Sequence, residues 1–323
     1  MEQGISVVVC TYNGGAKIKE TLAHLGKQIV PKNIDWEVLF IDNFSTDNSS
    51  AIALETWKEQ QIDTPLHIHV ENTPGKLFAL QKGLSLAKYK YFIICDDDNW
   101  LDSTYVATIF NILESNPKIG AVGGQAIAVT ESSTPLPDWF KTYQSGYAVG
   151  EQGLVSGDVT FTTKHLWGAG LGSRTSLYLD IYKELPSLLL NRGDQSILST
   201  EDTEYCLRLV LKGYKLFYDS SLTLQHYISK GRLTLAYKDK LFKNFDNAYT
   251  VMGKYYLAIK LGIPGRLNLF NRVRLIIITP IRFLFTSSKE KRLKQITVLS
   301  YLMPGLVKPD PITAQIKKII SRD

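Results

Sequence analysis

"YFIICDDDNWLD", residues 91–102, decides how this chain folds. Residues 91–95 are an unbroken apolar and aromatic run of strand length and read as a buried β-strand. The run stops abruptly in Asp96, Asp97 and Asp98, three adjacent carboxylates that repel one another. A polar strand end is commonplace, but three like charges together require something that makes their crowding tolerable.

Working outward, the same pattern recurs. Residues 5–10 form a short β-branched run leading into "CTYN" (10–13), and residues 36–41 form a second run ending at Asp42. Behind Gly14 and Gly15, the residues Ile18, Leu22, Leu25 and Ile29 fall at helical spacing. "NFSTDNSS" supplies turn and N-cap residues before a helix over 49–60. A weak strand at 67–70, a helix over 75–87, the strand at 91–95, a helix over 103–115 and a short strand at 119–123 continue the alternation. Strands alternating with helices specify an α/β fold with a doubly wound, largely parallel sheet. Such sheets bind ligands beyond the carboxyl ends of their strands. Three polar ends in one sheet would gather Thr11, Asn13, Asp42, Asp96 and Asp98 along a single rim.

Residues 124–165 read as a long irregular segment, of the kind that is usually functional or mobile. The pattern is firm again in "STEDTEYCLRLVLKG" (199–213), a helix with Tyr205, Cys206, Leu209 and Val210 at apolar spacing and a glycine stop at Gly213. "YKLFYD" and "LTLQHY" follow as two strands. Beyond about residue 235 come basic, aromatic-rich helical stretches, and a boundary is drawn there.

The composition is that of a soluble globular protein, 44% hydrophobic and 21% charged. Residues 5–10 are too short for the apolar core of a signal peptide. Cys10, Cys95 and Cys206 have no CxxC spacing, which argues against a disulfide framework or zinc knuckle and for buried thiols in a reducing cytoplasm. The net charge of +6 hides an asymmetry: residues 236–323 hold 17 Lys and Arg against 5 Asp and Glu, leaving 20 against 26 for the rest. No nucleic-acid recognition motif accompanies the basic tail, so no nucleic-acid partner is expected. "RVRLIIITPIRFLF" (272–285) is too short to span a bilayer, but it suits either an interfacial helix or packing on the body.

Crowded carboxylates are made tolerable by a cation. Mg²⁺ or Mn²⁺ would be held by one or two of them plus substrate phosphates. Asp96 and Asp98 would reach the rim from alternate sides, with Asp97 turned away. A solvated loop capping the next helix is the simpler account. Asp42 could face a planar polar ligand such as a base, or cap its own turn. Glu201 and Asp202 open a helix with Ser199 at capping-box spacing, and helix starts favour acids. A box needs only one acid, which leaves its neighbour free to act as a general base. His226 ends "LTLQHY" as a structural residue, or as a third metal ligand if its strand pairs beside the aspartates. "GAGLGSR" (168–174) allows close backbone approach to a ligand with Arg174 as an anion contact, or is a glycine-rich turn. It matches neither the P-loop nor the dinucleotide fingerprint.

In order and spacing, "VVVCTYNG", "EVLFIDNFSTDNS", "GKLFALQKG", "YFIICDDDNWLD", "GAGLGSR", "STEDTEYCLRLVLKGYKLFYD" and "LQH" resemble family 2 glycosyltransferases of the GT-A fold, of the bacterial polysaccharide type. The resemblance covers roughly residues 4–230. It implies a catalytic domain over 1–235, with a nucleotide-binding half near 1–123 and an acceptor-binding half near 124–235, followed by the helical region 236–323. It further implies an inverting, metal-assisted transfer from a nucleotide-diphosphate sugar, UDP-linked by preference, to a glycan or lipid-linked acceptor. Thr11, Tyr12, Asn13, Asp42, Lys76, Asp96 and Asp97 would bind the donor, Asp98 and His226 the metal, and Asp202 would be the base. Asn43 stands where the family often has a second acid. A sugar-phosphate nucleotidyltransferase and a non-catalytic binding module are the rival classes, and the first lacks its usual glycine- and arginine-bearing loop after the first strand.

Overall fold

The computed structural model describes residues 1–189, 200–263 and 265–320. Alternation holds through the first half: β1 (Glu2–Thr11), α1 (Ile18–Gly26), β2 (Trp36–Asp42), α2 (Ser49–Glu59), β3 (Leu66–Val70), α3 (Lys76–Leu86), β4 (Tyr89–Asp96), β5 (Asn99–Leu101), α4 (Tyr105–Ser115) and β6 (Ile119–Val129). The second half is less regular, with α5 (Phe140–Tyr143), β7 (Gly157–Asp158), β8 (Gly172–Arg174), α6 (Thr175–Glu184), α7 (Glu201–Leu211) and β9 (Lys215–Tyr227). Four helices close the chain: α8 (Leu235–Gly262), α9 (Leu269–Leu284), α10 (Lys289–Leu302) and α11 (Pro311–Ile320).

The strands form one sheet in the order β3-β2-β1-β4-β8-β6-β9-β5, with β7 also on β9. Strands β1 to β4 are mutually parallel, β8 runs antiparallel between β4 and β6, and β9 lies parallel to β6. This is the mostly parallel, mixed α/β sheet that the alternation specifies. Along β1 successive side chains enter opposite layers. Val7 and Val9 pack with α1, α2 and α4, while Val8 and Cys10 pack with α3, α6 and α7. Both faces are therefore buried, which is why the strands read as continuous apolar runs.

Register sets the rim. Thr11 pairs with Asp42 and Cys10 with Asp96, so the ends of β1, β2 and β4 finish level. The antiparallel β5–β9 pair sets Asn99 opposite His226 and brings the end of β9 to the aspartate turn.

Several expectations shift. Ile29 lies beyond α1 and is exposed, because the chain has turned away and its N–H donates to Ser103 O at 2.7 Å. The segment 124–165 is not wholly irregular: β6 continues to Val129 because β9 keeps pairing with it as far as Tyr227. The two strands expected over 214–227 are accordingly one, whose pairing with β6 shifts register between Gly123 and Gln125. Ser199 lies outside the described residues. In the C-terminal region Val251, Tyr255, Ala258 and Ile259 of α8 and Ile316 and Ile319 of α11 join the same core as Tyr205 and Leu209 of α7.

Candidate active site

The three aspartates do not cap a helix, since the chain passes directly into β5. Each has a cation of the protein's own. Lys76, first residue of α3, sets Nζ 2.5 Å from Asp96 Oδ1. Lys17, just before α1, reaches Asp97 Oδ1 at 2.5 Å and Asp98 Oδ2 at 3.6 Å. Arg232, in the turn between β9 and α8, donates from Nη1 to Asp98 Oδ2 at 3.1 Å. Crowding is thus relieved by Lys17, Lys76 and Arg232, two of which carry no motif in the sequence. Gly14 makes room for this arrangement: a Cβ there would lie 2.1 Å from Thr11 Oγ1 and 2.3 Å from Asp97 Oδ2.

The expectation that Asp97 turns away is corrected. It is buried, accepts from Thr11 Oγ1 at 2.7 Å, and its backbone carbonyl accepts from Thr21 Oγ1. Burial raises its carboxyl, with the Lys17 ammonium opposing the shift. Asp98 is buried too, but His226, Lys17 and Arg232 outweigh desolvation and hold its carboxyl well below the usual range. Lys76 shows the converse: burial disfavours its charge, yet Asp96 and Glu201 keep the ammonium more firmly protonated than a free lysine.

Not every expected donor contact reaches the cavity. Thr11 and Tyr12 line it, whereas Asn13 staples the neighbouring loop by accepting from Thr46 N at 2.8 Å. Asp42, expected to face a base, gives one oxygen to Ser45 N at 2.9 Å and the other to Ser50 Oγ at 2.6 Å. Both partners are donors of its own turn, and Asn43 rather than Asp42 lines the cavity. Arg174 is not an anion contact. It lies at the opposite end of β4, where it donates to the carbonyls of Ile119, Leu113 and Asn116 and stacks on Tyr91.

Asp202 does reach the cavity, in the first turn of α7. Its Oδ2 accepts from Gly168 N at 2.6 Å and its Oδ1 from Thr203 N at 2.6 Å. The glycine motif and the helix start are therefore one structure. Each carboxylate oxygen keeps a further lone pair for a ligand proton. Beside it, Glu201 is buried, its Oε2 has no hydrogen-bond partner among the described residues, and desolvation pushes its carboxyl up to about 7, against the pull of Lys76. His165, which stands in no motif, also lines the cavity, and its Nδ1 is buried without a partner among the described residues. Burial lowers its pKa, while nearby Asp202 opposes that shift.

A divalent cation fits part of this set. Asp98 Oδ1 and His226 Nε2 lie 3.5 Å apart, a hard carboxylate oxygen beside an imidazole. Among the described residues no third His, Cys, Asp or Glu completes a cluster. Such a site would draw its other ligands from phosphate oxygens and water, as Mg²⁺ and Mn²⁺ sites commonly do.

The aspartate turn, Glu201, Asp202, His226 and Arg232 open into one cavity of about 1320 Å³, whose lining also includes Tyr147, Phe242, Tyr249 and Tyr256. Solved structures share this fold. Residues 1–349 of S. aureus TarS in complex with UDP superpose with a TM-score of 0.53 at 17% identity, over 93% of this chain and 91% of that one. A Pyrobaculum calidifontis mannosyltransferase in complex with GDP-Man and Mn²⁺ gives 0.50 at 17%, over 98% and 88%. In sequence, the poly-β-1,6-N-acetyl-D-glucosamine synthase of Staphylococcus epidermidis is 28% identical over 131 residues, 41% of this chain and 30% of that protein. The glycosyltransferase GlyG of Streptococcus pneumoniae is 32% identical over 123 residues, 38% of this chain and 39% of its own. The chain thus spans about a third of the length of these two curated relatives. A model of glycosyl transferase family 2 matches residues 6–169, about half of the chain. That match runs from β1 through the aspartate turn to the glycine that holds Asp202, and the chain belongs to glycosyl transferase family 2.

Proposed function

We propose that this chain transfers a sugar from a nucleotide-diphosphate sugar, UDP-linked by preference, to a hydroxyl of a glycan or lipid-linked acceptor, with inversion. The observation that carries the reading is the meeting, in one cavity, of a cation-rich strand end and the acid Asp202. The donor half comprises residues 1–123 and the acceptor half residues 124–235. Transfer from a nucleotide sugar accords with the family and with the nucleotide and nucleotide-sugar complexes of the solved neighbours.

In this mechanism Asp202 accepts the proton of the acceptor hydroxyl as its oxygen attacks the anomeric carbon. The bond from that carbon to the diphosphate oxygen breaks, and the electron pair leaves with the diphosphate. Lys17, Lys76 and Arg232 meet the charge that builds there, in a site where preorganised cations act most strongly. Asp98 and His226 would hold Mg²⁺ or Mn²⁺, which when bound supplies Lewis-acid stabilisation of the leaving group. A single displacement needs no covalent intermediate. The proposed compartment is the cytoplasm, with a peripheral position on the inner face of the membrane open to the C-terminal helices.

The test is a panel of UDP- and GDP-sugars scored for binding by thermal shift, with Mn²⁺ and with EDTA, followed by transfer assays on the parent and Asp202→Asn. The amide keeps the size, but its single oxygen can accept only one of the Gly168 and Thr203 bonds, and it cannot take the proton. Turnover is expected to fall by a factor on the order of 10² or more, with donor binding retained. Loss of stability in proportion to activity would instead make Asp202 a helix cap. Pyrophosphate release from a sugar phosphate plus a nucleoside triphosphate would favour a nucleotidyltransferase.

A further inference from the structure

Helix α9 is apolar on two faces. One packs inward: Leu275 and Ile276 lie against the main core and Thr279 is buried. The other is uncovered. Leu269, Val273, Ile277, Ile281 and Leu284 are exposed, from 46% at Val273 to 77% at Leu269, and Phe270 stands beside them at 75%. Steps of four and three residues keep these side chains on one side of the helix, so they form a continuous stripe along its length. Single exposed apolar residues need no explanation, but a contiguous stripe marks an interaction surface.

Charge selects the occupant. Residues 266–294 carry eight Lys and Arg and one acid. Of these, Arg274 and Arg282 on α9, and Lys291, Arg292 and Lys294 on α10, are exposed. A second copy docked on this face would set like charges against like. A nucleic acid would match the charge but leave the stripe in water. An anionic phospholipid surface satisfies both, with the apolar side chains at the acyl boundary and the arginines among phosphates. Among the described residues no helix is long and apolar enough to cross a membrane. The 16 residues of α9 give a rod about 24 Å long, suited to lying in the interface.

We propose that α9 is an interfacial membrane helix that seats this chain on an anionic phospholipid surface. The inference is independent of the transfer chemistry, and its test uses no enzymatic readout. The full chain is floated with extruded phosphatidylcholine vesicles containing about one third phosphatidylglycerol, at low and high salt, and with phosphatidylcholine alone. The parent is expected to float with anionic vesicles at low salt, to weaken at high salt, and to stay largely unbound without anionic lipid. Ile277→Glu with Ile281→Glu alters only exposed positions and should abolish flotation while leaving the melting temperature in place. Arg274→Gln and Arg282→Gln should each weaken binding roughly fivefold and flatten the salt dependence. A parent chain that stays at the bottom of the gradient at low salt overturns the proposal, as does a doubly substituted chain that floats like the parent. A dimer that the same double substitution splits, without flotation, assigns the stripe to a second copy and overturns it too.

Discussion

At the scale of single residues, Glu201 is the group whose environment makes the sharpest demand. Its burial, opposed in part by Lys76 and assisted by Asp202, lifts its carboxyl to about 7. An unfolded glutamate titrates near 4.3, so between the two values the folded chain holds a proton that the unfolded chain has released. The associated stability is fully present below the unfolded pKa and is lost as pH rises through about 7. The loss is on the order of 3 kcal/mol once both states are ionised. Glu201→Gln imitates the protonated form at every pH. It should therefore be the more stable chain at pH 8 by about 2–3 kcal/mol and no more stable than the parent near pH 4. Urea midpoints of both chains at the two pH values check this, and a constant difference would mean that Glu201 does not titrate in this window. The acids of the site were legible because each closes a strand or opens a helix. Of their cations only Lys76 was, within "GKLFALQKG": Lys17 stands 80 residues from Asp97 and Arg232 stands 134 from Asp98, distances over which no local pattern operates. Asp42 and Asn13 read as ligand contacts from their strand-end positions, whereas the partners they have in the structure are donors of the neighbouring turn.

At the scale of elements, the position of Asp202 depends on what anchors α7. Glu204 and Arg208, one turn apart on that helix, form a fully buried ion pair at 2.8 Å. Tyr255 of α8 donates to Glu204 and accepts from Arg208 Nε, both at 2.9 Å. Ser187 Oγ and Leu188 N also donate to Glu204, and Arg208 donates to the carbonyls of Leu185 and Pro186. Burying two charges is costly, so the pair itself is weak evidence of stabilisation. Removing one partner is a different matter, because the other is left buried and uncompensated. Arg208→Met should destabilise the chain by about 3–5 kcal/mol, and adding Glu204→Leu should recover part of that loss. Chemical denaturation of the single and double variants reads both. If the double variant is as unstable as the sum of two independent losses, the groups are not coupled. Helix α7 could be read from its spacing and its glycine stop, and most earlier elements from theirs. The network could not, because Tyr255 lies in a helix whose partner in the fold no periodicity specifies. The unity of β9 was hidden by "DSS" (219–221), polar residues that read as a break and instead lie within one long strand.

At the scale of the whole molecule, the charge asymmetry invites a division that the packing does not follow. A basic tail on an acidic body looks separable at Leu235, where α8 begins. Yet Val251, Tyr255, Ala258, Ile259, Ile316 and Ile319 are buried in the same cluster as Tyr205, Leu207 and Leu209 of α7. Fully burying a large apolar side chain contributes about 1.5–3 kcal/mol. Losing even the few large ones would consume most of the 5–15 kcal/mol that keeps a domain folded. A fragment of residues 1–234 would also expose Glu204 and Arg208 on a helix stripped of its cover. The full chain is therefore expected to unfold in one calorimetric transition. The fragment should be insoluble, or retain far-ultraviolet dichroism without a cooperative melt. Two separate transitions in the full chain, or a fragment that melts cooperatively and still shifts with a nucleotide sugar, would show that the body folds without its basic helices.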